Sequence, residues 1–232
     1  MNLSSRITQD LDKACLVLQQ GGIVGIPTET VYGLAAVALN AEAVSRVFQA
    51  KGRPTSHPLI IHLSPHDDIN RWGVLNESAQ ALANALWPGP LTLLVPRTRL
   101  VPDWVTGARD TVALRIPAHD MTLALLDAVS DAVVAPSANR FGHVSPTSAE
   151  HVINDLGDSV DLVLDGGSCA IGIESTIVEC TNSILCAEKE RGRDLSDLLM
   201  RQRNELFAVL RYNLAERIAA GYRCSQNKLF AD

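Results

Sequence analysis

Aromatic side chains make up only 4% of this 232-residue chain, and long apolar runs are missing altogether. No stretch approaches the roughly 18–20 apolar residues that cross a bilayer, so no membrane span is expected. The opening Met1-Asn2-Leu3-Ser4-Ser5-Arg6-Ile7-Thr8-Gln9-Asp10 lacks the apolar core of a secretory signal, and a cytoplasmic protein is expected. The five cysteines (Cys15, Cys169, Cys180, Cys186 and Cys224) are odd in number and form no C-x-x-C pair. That spacing speaks for reduced thiols and against a disulfide framework or a zinc knuckle. Basic residues are not in excess: 20 Lys+Arg against 26 Asp+Glu leave a net charge of -6, which argues against a protein that chiefly coats nucleic acid.

The common catalytic signatures are missing too. Gly21-Gly22-Ile23-Val24-Gly25 is followed by a strand rather than a helix, so it is not a dinucleotide fingerprint, and there is no G-x-x-x-x-G-K-[ST] loop. No G-x-S-x-G elbow occurs. His62 and His66 are four apart, but Pro65 forbids the helix on which such a pair would hold a metal, so no protein-held metal is expected. No Cys/His or Ser/His/Asp arrangement suggests covalent catalysis.

What is present is a chain with 47% hydrophobic residues, enough for a real core, so wholesale disorder is excluded. Apolar spacing predicts helices over 7–20, 41–50, 77–86, 121–129 and 151–156, the last starting near Ser148 as N-cap. Short Val/Ile/Leu-rich runs predict strands at 23–26, 59–63, 91–95, 111–116, 132–135, 162–164 and 176–178. Helices alternating with buried strands indicate an α/β sheet covered by helices. Some connections are too short for crossover helices, so the sheet is expected to be mixed.

A boundary is expected at residue 186. Residues 1–186 hold 11 basic and 19 acidic residues, whereas 187–232 hold 9 and 7. Leu195, Leu198, Leu199, Leu206, Val209, Leu210, Leu214 and Ile218 fit one face of an amphipathic helix, so 187–232 reads as a helical extension that packs on the domain or on a second subunit.

Short polar clusters sit at the ends of the predicted strands, where ligands bind in open α/β sheets. They are Pro27-Thr28-Glu29-Thr30-Val31-Tyr32-Gly33-Leu34, Lys51-Gly52-Arg53-Pro54, the pair Thr111 and Arg115, Pro136-Ser137-Ala138-Asn139, Ser145-Pro146-Thr147 and Glu174-Ser175-Thr176. Each has a plainer alternative. Thr28 and Thr30 suit strand-end caps, Lys51 and Arg53 suit a helix C-terminus, and Ser137 to Asn139 suits a turn. Together they describe one pocket with fixed cations for phosphates, several hydroxyls and an asparagine.

These segments, with Pro58-Leu59-Ile60-Ile61-His62 and Trp87-Pro88-Gly89-Pro90-Leu91-Thr92, resemble in order the YrdC-like threonylcarbamoyl-AMP synthase family. The resemblance runs from about residue 8 to 184. It implies a twisted mixed sheet with helices on its faces and a concave cationic cavity. It also implies formation of L-threonylcarbamoyl-AMP and pyrophosphate from L-threonine, bicarbonate (or CO2) and ATP with Mg²⁺, for transfer by partner proteins to tRNA. By the same resemblance Thr30, His62, Arg115 and Ser175 are the threonine-binding set, with Arg115 gripping the carboxylate bidentately. Lys51, Arg53, His57, Thr111, Ser137, Asn139 and Ser145 are the ATP set, with Lys51 and Arg53 in the catalytic role of neutralising phosphate charge.

One departure stands out. Where the family carries an arginine in an Arg-Pro-Gly segment, this chain has Cys186 within Ser183-Ile184-Leu185-Cys186-Ala187-Glu188. Either Arg191 or Arg193 replaces it, or the nucleotide site is weaker. Two further readings stay open: a double-stranded RNA or tRNA-binding module, and a relative whose activity is lost or altered.

Overall fold

In a computed structural model, residues 6–181 are described; the helical extension expected at 187–232, the boundary at 186 and Cys186 lie outside them. The strands are β1 (Ile7–Thr8), β2 (Val24–Ile26), β3 (Gly33–Val37), β4 (Ile60–His62), β5 (Leu91–Pro96), β6 (Thr111–Arg115), β7 (Val133–Val134), β8 (Leu162–Leu164) and β9 (Thr176–Glu179). The α-helices are α1 (Leu11–Gln19), α2 (Ala41–Lys51), α3 (Glu77–Leu86), α4 (Asp103–Thr106), α5 (Asp120–Val129) and α6 (Ala149–Leu156).

Side-chain caps set the helix starts. Asp10, Asn40, Asn76 and Ser148 each accept a hydrogen bond from the backbone N–H three residues on. Gly52, in the left-handed region at φ 60°, ends α2 just after Lys51. The helix expected from Ile7 begins only at Leu11. Ile7 and Thr8 instead pair with Val163 and Leu164, so a long-range ladder overrides the local period.

The strands form one mixed sheet in the order β1-β8-β2-β3-β7-β4-β6-β5-β9. Pairs β1–β8, β2–β8, β4–β6 and β5–β9 are parallel, and the other four are antiparallel. Side chains alternate across it. In β3, Leu34 and Ala36 join the core under α2, α3 and α6, while Ala35 packs with α1 and α5. Ile61 in β4 and Leu114 in β6 point into the first core. Their neighbours His62, Arg115 and Ile60 therefore face the other side, where a cavity opens in place of helices.

Candidate functional site

The cavity, about 230 Å³, is lined by Thr28 and Val31 after β2, Arg53, His57 and Pro58 after α2, His62 of β4, Arg115 of β6, Ser137 and Phe141 after β7, and Glu174 to Ile177 at the start of β9. Sheet register puts two of these side by side, since His62 and Arg115 are Cα partners across β4 and β6.

Arg115 is 4% exposed and tied on three sides. Its Nη2 donates to Glu29 Oε1 at 2.7 Å and to Thr30 Oγ1 at 2.9 Å, and its Nε donates to the Gly89 carbonyl at 3.3 Å. Nη1 meets no hydrogen-bond partner among the described residues. That leaves Nη1, with two hydrogens, as the unspent edge, where the bidentate grip implied by the family resemblance would draw on two nitrogens.

Thr30 is fully buried behind Arg115 and is not a lining residue. Thr28 Oγ1 donates its one hydrogen to the Val31 carbonyl at 2.6 Å, so Thr30 is the donor in the 2.9 Å contact between the two hydroxyls. Thr30 therefore serves as an acceptor for Arg115.

The His62 ring is buried, with Nδ1 3.3 Å from the Ile60 carbonyl. A carbonyl only accepts, so Nδ1 carries the proton and Nε2 is an acceptor. Burial, and then the Arg115 charge, push this imidazole down to about 3, which keeps it neutral. Ser175 Oγ shares a 2.7 Å hydrogen bond with Thr92 Oγ1.

A second polar group gathers around Arg53. Its Nη2 donates to the Pro58 carbonyl at 3.2 Å, and its guanidinium carbon lies 5.9 Å from the Phe141 ring centroid. The His57 ring meets Phe141 edge-on at 5.4 Å. Burial lowers the pKa of Arg53, opposed by the Glu174 carboxylate. His57 is lowered by burial, then by Arg53 and Arg109. Glu174 accepts from Ser145 Oγ at 2.8 Å.

Lys51 is 2% exposed and lies behind the wall, donating to the main-chain carbonyls of Ser137 and, at 2.6 Å, of Asn139. Burial, followed by Arg53, pushes its ammonium down to about 7 against the pull of Glu174 and Asp155. Asn139 donates through Nδ2 to the carbonyls of Arg140 and His143, and its buried Oδ1 has no partner among the described residues.

Of the residues singled out from the sequence, Arg53, His57, His62, Arg115, Ser137 and Ser175 line the cavity. Lys51, Thr30, Asn139 and Ser145 stand behind it, bonded to the wall or to its loops. Thr111 shares a face with Arg115 but sits at the far end of β6, paired with Pro96, and does not line the cavity. Sequence reasoning missed Phe141 because it looked for polar chemistry. It left Glu29 and Glu174 inside their motifs without roles, since nothing local shows which cation a carboxylate will face.

No helix among the described residues is long and apolar enough to cross a membrane. Nor do those residues include a group of three or more His, Cys, Asp or Glu placed to hold a metal ion.

The Sua5/YciO/YrdC family model, described as "telomere recombination", matches residues 16–189. The threonylcarbamoyl-AMP synthase of Pyrococcus abyssi is 46% identical over 165 residues, covering 71% of this chain and 48% of that protein. The Bacillus subtilis threonylcarbamoyl-AMP synthase is 41% identical over 174 residues, covering 74% and 50%. The crystal structure of Pyrococcus abyssi Sua5 complexed with L-threonine superposes with a TM-score of 0.73 at 44% identity, over 75% of this chain and 52% of that one. The chain thus spans about half the length of these relatives.

Proposed function

The chain belongs to the Sua5/YciO/YrdC family, and from that premise we propose that it makes L-threonylcarbamoyl-AMP and pyrophosphate from L-threonine, bicarbonate or CO2, and Mg-ATP. The product would be handed in the cytoplasm to the proteins that modify tRNA. The observation that carries this reading is one cavity faced by two separate guanidinium groups, Arg115 and Arg53, with no activated nucleophile between them among the described residues. No lining hydroxyl is hydrogen-bonded to a histidine or a carboxylate among the described residues.

Such a site suits chemistry between two anionic substrates. The threonine amine adds to CO2, forming a C–N bond and releasing a proton to solvent. A carbamate oxygen then attacks the α-phosphorus, and the bond to the β-phosphate oxygen breaks as pyrophosphate leaves with its electron pair. Arg115 Nη1 binds the amino acid carboxylate, while neutral His62 offers Nε2 to an N–H or O–H of the substrate. Arg53 offsets charge on the phosphates, with Lys51 close behind it. Mg²⁺ would arrive with the ATP substrate and offset charge on its phosphates.

The test is pyrophosphate release by the purified protein with Mg²⁺ and ATP, with and without L-threonine and bicarbonate, the adenylate being identified by mass spectrometry. Release that needs both threonine and bicarbonate supports the synthase. ATP binding without release would refute it.

A further inference from the structure

Arg115 faces the cavity from a buried position, and the sign and shape of what it presents depend on Glu29. That carboxylate is itself buried, 9% exposed and outside the cavity lining. Oε1 accepts from Arg115 Nη2 at 2.7 Å, and Oε2 accepts from the Ala118 backbone N–H at 3.0 Å. The Glu29 backbone is pinned as well, because its carbonyl accepts from Ile171 N–H at 2.9 Å. Both carboxylate oxygens are therefore fixed, and the pair is a rigid buried dyad with no net charge.

A lone buried guanidinium facing an enclosed cavity would attract any anion, and polyanions most strongly. This reaction would bring just such competitors, since ATP and pyrophosphate occupy the same cavity as the amino acid. A neutral dyad changes the ranking. Phosphate meets the Glu29 carboxylate directly behind the guanidinium and has only Nη1 to bind. An α-amino acid zwitterion, also without net charge, loses little by this. We propose that Glu29 is a positioning residue that makes Arg115 a neutral, single-edged carboxylate grip, so that the amino acid end of the cavity accepts a zwitterion and refuses phosphate. The inference rests on the threonine-using reading of the site and adds the residue that enforces its selectivity.

The test compares the unmodified chain with Glu29→Gln, Glu29→Asp and the double variant E29Q/R115M, using equilibrium titration with L-threonine, with inorganic phosphate, and with one against the other. Phosphate is not expected to displace threonine from the unmodified protein. In Glu29→Gln it should compete, and the ratio of threonine to phosphate affinity should fall about tenfold or more. Glu29→Asp, which keeps the charge, should restore most of the ratio, and the gain in phosphate binding should vanish in E29Q/R115M.

An unchanged ratio in Glu29→Gln would overturn the inference, because a purely structural role predicts equal losses for both ligands. If Glu29→Gln does not fold by circular dichroism, phosphate displacing threonine from the unmodified protein would overturn it equally. Should the unmodified protein bind no threonine, the synthase reading fails first. The R115M-sensitive gain in phosphate binding then remains the measurement that decides the role of Glu29.

Discussion

The Lys51 ammonium donates to the Asn139 carbonyl at 2.6 Å, joining the end of α2 to the loop after β7. A second bond, to the Ser137 carbonyl, makes this lysine a clasp across two segments far apart in sequence. The Phe141 N–H returns the contact by donating to the Lys51 carbonyl at 2.7 Å. The cation that the family resemblance places in the ATP set thus also shapes the cavity wall.

Lys51 should leave a pH signature in stability. Its ammonium falls from 10.5 to about 7 on folding, so between these values the unfolded chain binds a proton that the folded chain does not. Stability then rises with pH through that window, and the penalty is complete below about pH 7. Relative to Lys51→Met, the unmodified protein should gain stability between about pH 7 and about pH 10, as read by urea denaturation.

His62 should make the fold acid-sensitive. Its folded value near 3 lies below the ordinary 6.5, so the unfolded state takes up a proton first as pH falls. Stability present above pH 6.5 should be lost progressively toward pH 3, by about 5 kcal/mol in all. His62→Gln should flatten that slope in acid titrations followed by circular dichroism.

Phe141 should matter for ATP and not for threonine. Its ring supports Arg53 at 5.9 Å and His57 at 5.4 Å. Phe141→Ala should weaken ATP binding by about 1 kcal/mol, roughly fivefold, and leave threonine affinity unchanged. Phe141→Tyr should bind ATP like the unmodified protein when all three proteins are titrated with ATP and with L-threonine by fluorescence. An equal loss for both ligands would point to general loosening of the loop.

Gly89→Ala should disturb the fold and the threonine end together. A Cβ there would stand 2.2 Å from the Leu86 carbonyl oxygen, a backbone atom that cannot rotate away. The Gly89 carbonyl also accepts from Arg115 Nε. The substitution should cost about 3 kcal/mol or more, read as a lowered Tm, and should weaken threonine binding where the protein still folds.

Most of the described elements were legible because their signals are local. Ser148 caps α6 as its position before an apolar helical period predicts, and Gly52 ends α2 where no side chain is needed. β3 was not read because Gly33-Leu34-Ala35-Ala36-Val37 has weak strand propensity. It becomes a strand by pairing on both sides, with β2 and with β7. The polar clusters were legible as clusters, since each follows a short apolar run and so lies at a strand end.

By itself the sequence determined the α/β class, the mixed character of the sheet and the segments that carry polar groups, since these follow from period, caps and connection length. Only the tertiary structure decided which of those groups meet. The β4–β6 register sets His62 beside Arg115 and leaves Thr111 a strand's length away. It also decided that Arg115 spends its fork on Glu29, Thr30 and Gly89. Partner choice for a buried charge depends on which distant segments share its low-dielectric surroundings, and no local rule of sequence records that.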